Sequence, residues 1–140
     1  MARIDDGFST LITFADYPTV KFYEKTVTPP GMQGGGANDT TTMHNTTWRT
    51  MAPKKLKTMS EASAKVSYDP VVYTDVVAMI QTNQLCTLHF PDGSTVDFWG
   101  WLDEFTPDEV QEGSQPTASI KIIPSNQNTS GVETAPAYTA

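Results

Sequence analysis

Apolar residues recur at helical spacing in only one stretch of this chain, while in several others they alternate with polar ones. From Ala62 to Tyr68 the small and apolar residues Ala62, Ala64, Val66 and Tyr68 face one way, and Ser63, Lys65 and Ser67 the other. Leu85–Phe90 and Thr95–Phe98 flank Pro91-Asp92-Gly93, a strong hairpin turn signal. In that hairpin Cys86, Leu88, Phe90, Val96 and Phe98 share an inward face, and Thr87, His89, Thr95 and Asp97 share the other. Thr117–Ile123 repeats the pattern, with Ala118, Ile120 and Ile122 inward before Pro124 ends the strand. Leu11–Ala15 and Val20–Val27 read as two more strands. Period-two alternation is the mark of strands buried on one face. The single helical stripe starts at Asp69-Pro70, a good cap followed by a proline suited to the first helical position. It runs through Val72, Val76, Met79 and Ile80, with Tyr73 and Val77 beside it and Asn83 as the expected terminator. Its valines lower intrinsic helix propensity, so packing against a sheet must stabilise it. The expected class is α+β, mainly β: a β-sandwich or barrel flanked by one α-helix.

Between the strand at Val20–Val27 and a second expected strand at Met43–Met51 lies Thr28–Thr42, a stretch with no apolar periodicity. Its centre, Pro30, Gly31, Met32, Gln33, Gly34, Gly35, Gly36, Ala37, Asn38 and Asp39, follows a Pro-Pro-Gly turn with three successive glycines. The expectation is a long hairpin with this loop at its tip. Such a loop costs ordering entropy and adds nothing to its own core. Two readings follow: a surface insertion, or an arm that becomes ordered against another molecule. Residues Met1–Thr10 and Ser125–Ala140 are polar and are expected to be loose, which leaves one domain over residues 1–124 and a flexible tail over 125–140.

The net charge of −7 argues against nucleic-acid binding as the main energetic task. The one cysteine, Cys86, lies in an apolar run and reads as a small buried hydrophobe. His44 and His89 form no nucleophile–base constellation or zinc signature. The carboxylates at Asp103/Glu104 and Asp108/Glu109 lack calcium-loop spacing. The glycine run has no GK[ST] sequel and does not lead into a helix, so it is not a phosphate loop. No enzyme, cofactor or metal site is therefore expected. Charge is segregated instead: Arg49, Lys54, Lys55 and Lys57 crowd a turn after the glycine loop, and Asp103, Glu104, Asp108 and Glu109 crowd another. Two such patches can pair between copies head to tail, or neutralise each other within one fold. A non-catalytic carbohydrate-binding module using Trp48, Trp99 and Trp101 is the alternative.

Over residues 8–124 the order of segments resembles the major tail tube proteins of long, flexible, non-contractile-tailed phages. The features that carry it are the long Gly/Thr-rich loop, TTWRTMAPKKLKTMSEASAKVSYDP, one helix, then Phe98-Trp99-Gly100-Trp101, Thr106-Pro107-Asp108-Glu109-Val110 and a strand ending at Pro124. The resemblance implies a tail-tube fold shared with type VI secretion tubes. It also implies hexameric rings stacked into a hollow tube, with inner strands of six subunits closing one barrel. The loop after the second strand, here 28–42, would reach a neighbouring subunit or ring. An acidic lumen would let genomic DNA slide through without specific binding, with Glu24 and Asp97 as lumen candidates. Implied partners are further copies and other tail proteins at the tube ends, with no membrane. The implied place is the virion tail, after synthesis in the host bacterial cytoplasm.

Overall fold

A computed structural model describes residues 10–18, 20 and 22–140. The expectation of a loose start falls on residues 1–9, outside the described residues. In chain order the elements are β1 (Leu11–Phe14), β2 (Phe22–Thr28), β3 (Met32–Gly34), β4 (Ala37–Asp39), β5 (Met51–Pro53), β6 (Lys57–Met59), β7 (Ala62–Tyr68), α1 (Val72–Met79), β8 (Gln84–His89), β9 (Thr95–Pro107), β10 (Thr117–Pro124) and β11 (Ala137–Thr139). The architecture is mainly β with one helix.

The main sheet is antiparallel throughout, in the order β1-β8-β9-β10-β7-β2, with β11 added on β9. The alternation read from the sequence supplies its inner face. Ile12, Phe14, Phe22, Ala64, Val66, Cys86, Leu88, Phe98, Leu102, Ala118, Ile120 and Ile122 are buried together. Val72, Val76 and Met79 of α1 join that core, and an isolated bridge sets Ile80 beside Leu102. At one end an aromatic cluster closes the core: Phe105 lies 5.3 Å from Tyr68, 5.7 Å from Tyr73 and 5.8 Å from Phe22, centroid to centroid.

The sheet curls until its two outermost strands meet. They form no ladder there. Instead the Ile12 N–H of β1 donates to the Glu24 carboxylate of β2 at 3.1 Å, and Phe14 meets Phe22 edge to face at 6.3 Å. A side chain thus satisfies a strand edge that would otherwise stand unpaired.

Several expectations need correction. The strand expected at Met43–Met51 is largely a turn, and the glycine segment itself supplies β3 and β4. The helix is shorter than Asp69–Asn83: Val71 occupies the cap position, and Ile80 (ψ 129°) and Gln81 (φ 62°) end it. Asp69 still accepts the Val71 N–H at 3.1 Å, ordering the entry turn. Asp103–Pro107, read as part of an acidic turn, continues β9, because β10 offers it a ladder.

Gly100 marks a close approach of two strands. A Cβ there would stand 2.5 Å from the Ile123 carbonyl oxygen. The β9–β10 irregularity falls at Asp103, the extra residue between the pairs Lys121↔Glu104 and Ile122↔Leu102.

Residues 125–140, expected to be a flexible tail, are laid against the sheet. Asn83 donates to the Gln127 carbonyl at 2.9 Å and accepts from Ser125 Oγ at 2.6 Å, and the Ser125 N–H reaches the Trp99 carbonyl at 2.8 Å. Composition suggested a tail because these residues bury little apolar surface, but side-chain-to-backbone bonds hold them.

Candidate functional site

Beyond the main sheet, β2 and β7 run on together as a two-stranded ribbon. Their ladder ends at Thr28↔Ser63. The Ser60 N–H then bonds to the Gly31 carbonyl (2.8 Å), Met32↔Met59 through Gly34↔Lys57 pair, and Ala37↔Pro53 through Asp39↔Met51 pair. The last rung is Thr40 N–H to the Thr50 carbonyl, 3.0 Å. Midway, two residues (Gly35, Gly36) face three (Lys54, Lys55, Leu56). Glycine is required at that bend. Gly36 has φ +92°, where an L side chain is strained, and a Cβ on Gly35 would press Lys54 Cβ at 3.2 Å and Leu56 O at 3.3 Å. The turn Thr41–Arg49 is tied by Asn45, whose amide donates to the Trp48 carbonyl at 2.7 Å, and by the Thr41 hydroxyl, which accepts the Thr50 N–H at 3.0 Å. The glycine segment is therefore one leg of a hairpin whose tip lies further along, and the basic turn expected at Ala52–Met59 is the other leg.

No residue from 31 to 58 is buried. At about 3.3 Å per residue the leg from Met32 to Asp39 alone spans roughly 25 Å. The ribbon stands clear of the core, wet on both faces. It nevertheless exposes Met32, Met43, Trp48, Met51 and Leu56. Exposed apolar groups on a projecting element mark contact surfaces more often than isolated ones do.

Its charge opposes that of the rest of the chain. Between Pro29 and Ser60 stand four cations and one carboxylate, in a chain of net charge −7. Asp39 bonds Arg49 at 3.2 Å, and hydrogen bonds from Thr41, then Arg49, hold its carboxyl below the usual range. Lys54, Lys55 and Lys57 form no ion pair among the described residues. Conversely, Val66–Ile120 contains nine carboxylates and no lysine or arginine.

The expected acidic patch is only partly available. Glu104 pairs with Lys121 at 3.6 Å; the Thr106 hydroxyl, then Lys121, lower its pKa. Asp108 pairs with Lys65 at 3.6 Å and accepts the Thr117 hydroxyl at 2.9 Å. Glu109 lines an open polar hollow with Lys25 and Lys65, and Asp103 stands exposed at its bulge. Of the lumen candidates, Glu24 is the half-buried acceptor that joins the sheet edges, its pKa raised by desolvation. Asp97 lies half-buried in β9 opposite Thr87 and Ala137. Trp48 sits on the ribbon tip, whereas Trp99 and Trp101 lie half-buried in β9.

Burial pushes the Cys86 thiol up to about 12, which keeps it a neutral core group. His89 shares a hydrogen bond with Thr13 at 3.0 Å. Sequence reasoning missed the outer face of α1, where Tyr73, Val77 and Ile80 are exposed. Their spacing at i, i+4 and i+7 was the available signal, absorbed there into the core stripe.

Neither a protein-family profile nor a curated protein matches the sequence. Solved structures do resemble the fold. One is a chain from the virion of a native gene transfer agent particle: TM-score 0.61 and 12% identity, covering 97% of this chain and 99% of that one. Another is a chain from the baseplate of the anti-feeding prophage: TM-score 0.60 and 8% identity, covering 100% of this chain and 98% of that one. At such identities the likeness is one of fold. It extends over nearly the full length of both chains in each comparison.

Proposed function

We propose that this chain is a non-catalytic structural subunit of a phage-type tail, assembling into stacked hexameric rings that form the hollow tube of a virion. The observation that carries the reading is the ribbon. From residue 31 to 58 it buries nothing, it exposes methionines, a tryptophan and a leucine, and it carries a positive surplus on an otherwise acidic chain. Such an arm suits a partner with the charge of its own body. A contact between two different faces of one chain is head-to-tail, and it generates rings or filaments according to whether the rotation closes. The fold likeness to chains of a gene transfer agent virion and a prophage baseplate supports the same reading. So does the acidic balance: an anionic channel gives DNA few phosphate anchors on its way into the host. Other tail proteins would cap the tube ends, and the subunit would be made in the host bacterial cytoplasm.

The test replaces Gly31–Ser60 with a two-residue Asn-Gly turn, which suits a tight hairpin. The shortened chain should keep the circular dichroism of the body and melt cooperatively, at a somewhat lower temperature because Met59 leaves the core, yet stay monomeric by sedimentation. The full chain should give rings or tubes in negative-stain micrographs. Equal polymerisation of both would remove the ribbon from assembly.

A further inference from the structure

The outer face of α1 is open at Val77, while Tyr73 packs part of its ring against Tyr68 and Phe105. Val77 is 79% exposed, Val71 72%, Tyr73 44% and Ile80 37%, and Tyr73, Val77 and Ile80 form one row along the helix. Asp69 precedes this row by one turn, and the bulged Asp103 follows Leu102, the residue bridged to Ile80 at the helix end. Neither Asp69 nor Asp103 forms an ion pair among the described residues. The surface is thus apolar with an acidic border, within a segment that contains no lysine or arginine.

The ribbon has the opposite design. Leu56 (81% exposed) stands between Lys55 and Lys57, and Met51 (61%) and Trp48 (81%) stand on either side of Arg49 and Thr50. It is apolar with a basic border. We infer that the outer face of α1 is the docking surface for the ribbon of a second copy of this chain. The inference rests on the assembly reading above and names the receiving surface within it. The acidic stretch Glu104–Glu109 is the weaker receiver, because Glu104 and Asp108 already hold Lys121 and Lys65. A lysine arriving there would have to displace a cation in place. At α1 it meets carboxylates without one, beside apolar surface that gains from losing water.

Cysteine cross-linking in the assembled full-length protein tests this. Val77→Cys and Leu56→Cys variants, prepared separately, are mixed, allowed to assemble and oxidised. The native Cys86 is fully buried and does not compete. A disulfide-linked dimer of the mixed variants on non-reducing gels is the expected result, several-fold above Leu56→Cys mixed with Glu109→Cys. In parallel, the pair Asp69→Lys and Asp103→Lys should raise the concentration needed for assembly by about tenfold, and adding Lys54→Glu and Lys55→Glu should restore it. Cross-linking to Glu109→Cys but not to Val77→Cys, or no charge-swap rescue, would overturn the α1 docking while leaving ribbon-dependent assembly standing. If the full chain forms no oligomer, or polymerises equally well without Gly31–Ser60, both inferences fall.

Discussion

Gly100 shows how much one residue can decide. It lies between its β8 partner Gln84 and its β10 partner Pro124, with no room for a Cβ against the Ile123 carbonyl. Gly100→Ala should lower stability by about 1–3 kcal/mol, read as a drop in melting temperature, because backbone rather than a flexible side chain must yield. Glu24 is the opposite case, a residue whose neighbourhood disfavours its charge. Desolvation raises its folded pKa above the ordinary 4.5, so ionised Glu24 weakens the fold, and its contribution is lost as pH rises through that folded value. Glu24→Gln keeps an acceptor for the Ile12 N–H without the charge. Its melting temperature relative to the native chain should therefore improve from acid to neutral pH, whereas Glu24→Ala should lose the acceptor and be destabilised throughout. The need for glycine at 100 was not legible, since the Ile123 carbonyl that demands it is brought there by the β9–β10 pairing. Glu24 was legible only as a polar strand residue, since its partner lies twelve positions away on the far edge of the sheet.

Among the elements, α1 divides the roles most sharply. Its eight residues are too few to hold a helix alone, and valine supplies three of them. Packing must make up the difference through Val72, Val76 and Met79. Met79 is fully buried, so Met79→Ala should cost about 2–5 kcal/mol in denaturant titrations with little change in slope. Val77→Ala, on the open face, should stay within about 0.5 kcal/mol of the native chain. The stripe of apolar residues announced this helix correctly. Its length was overread because Ile80 and Gln81 leave helical geometry to bridge and bond Leu102 of β9. The strands with one dry face were equally legible, and the β3–β6 pairs were not. A ribbon solvated on both faces has no inside, so its sequence need not alternate.

At the scale of the whole molecule, the charge of the ribbon and that of the body act as two poles. Reversing Lys54, Lys55 and Lys57 to Glu should raise the concentration at which the chain assembles, by about tenfold or more. It should also weaken the salt dependence seen by light scattering, because assembly of the native chain through these poles is screened by added salt. The inequality of charge and the buried faces of the strands around one helix were both readable from the amino-acid order. They depend on residue type and short-range spacing, which the sequence states directly. Four things were decided only by the tertiary structure: that the glycine segment pairs with the lysine-rich turn, that Glu24 joins the two sheet edges, that the last residues lie on β9, and that Glu104 and Asp108 are already occupied. The physical reason is common to all four. Alternation records burial, whereas these features are made by backbone ladders and polar side chains at the surface, whose partners are chosen by the path of the chain in space.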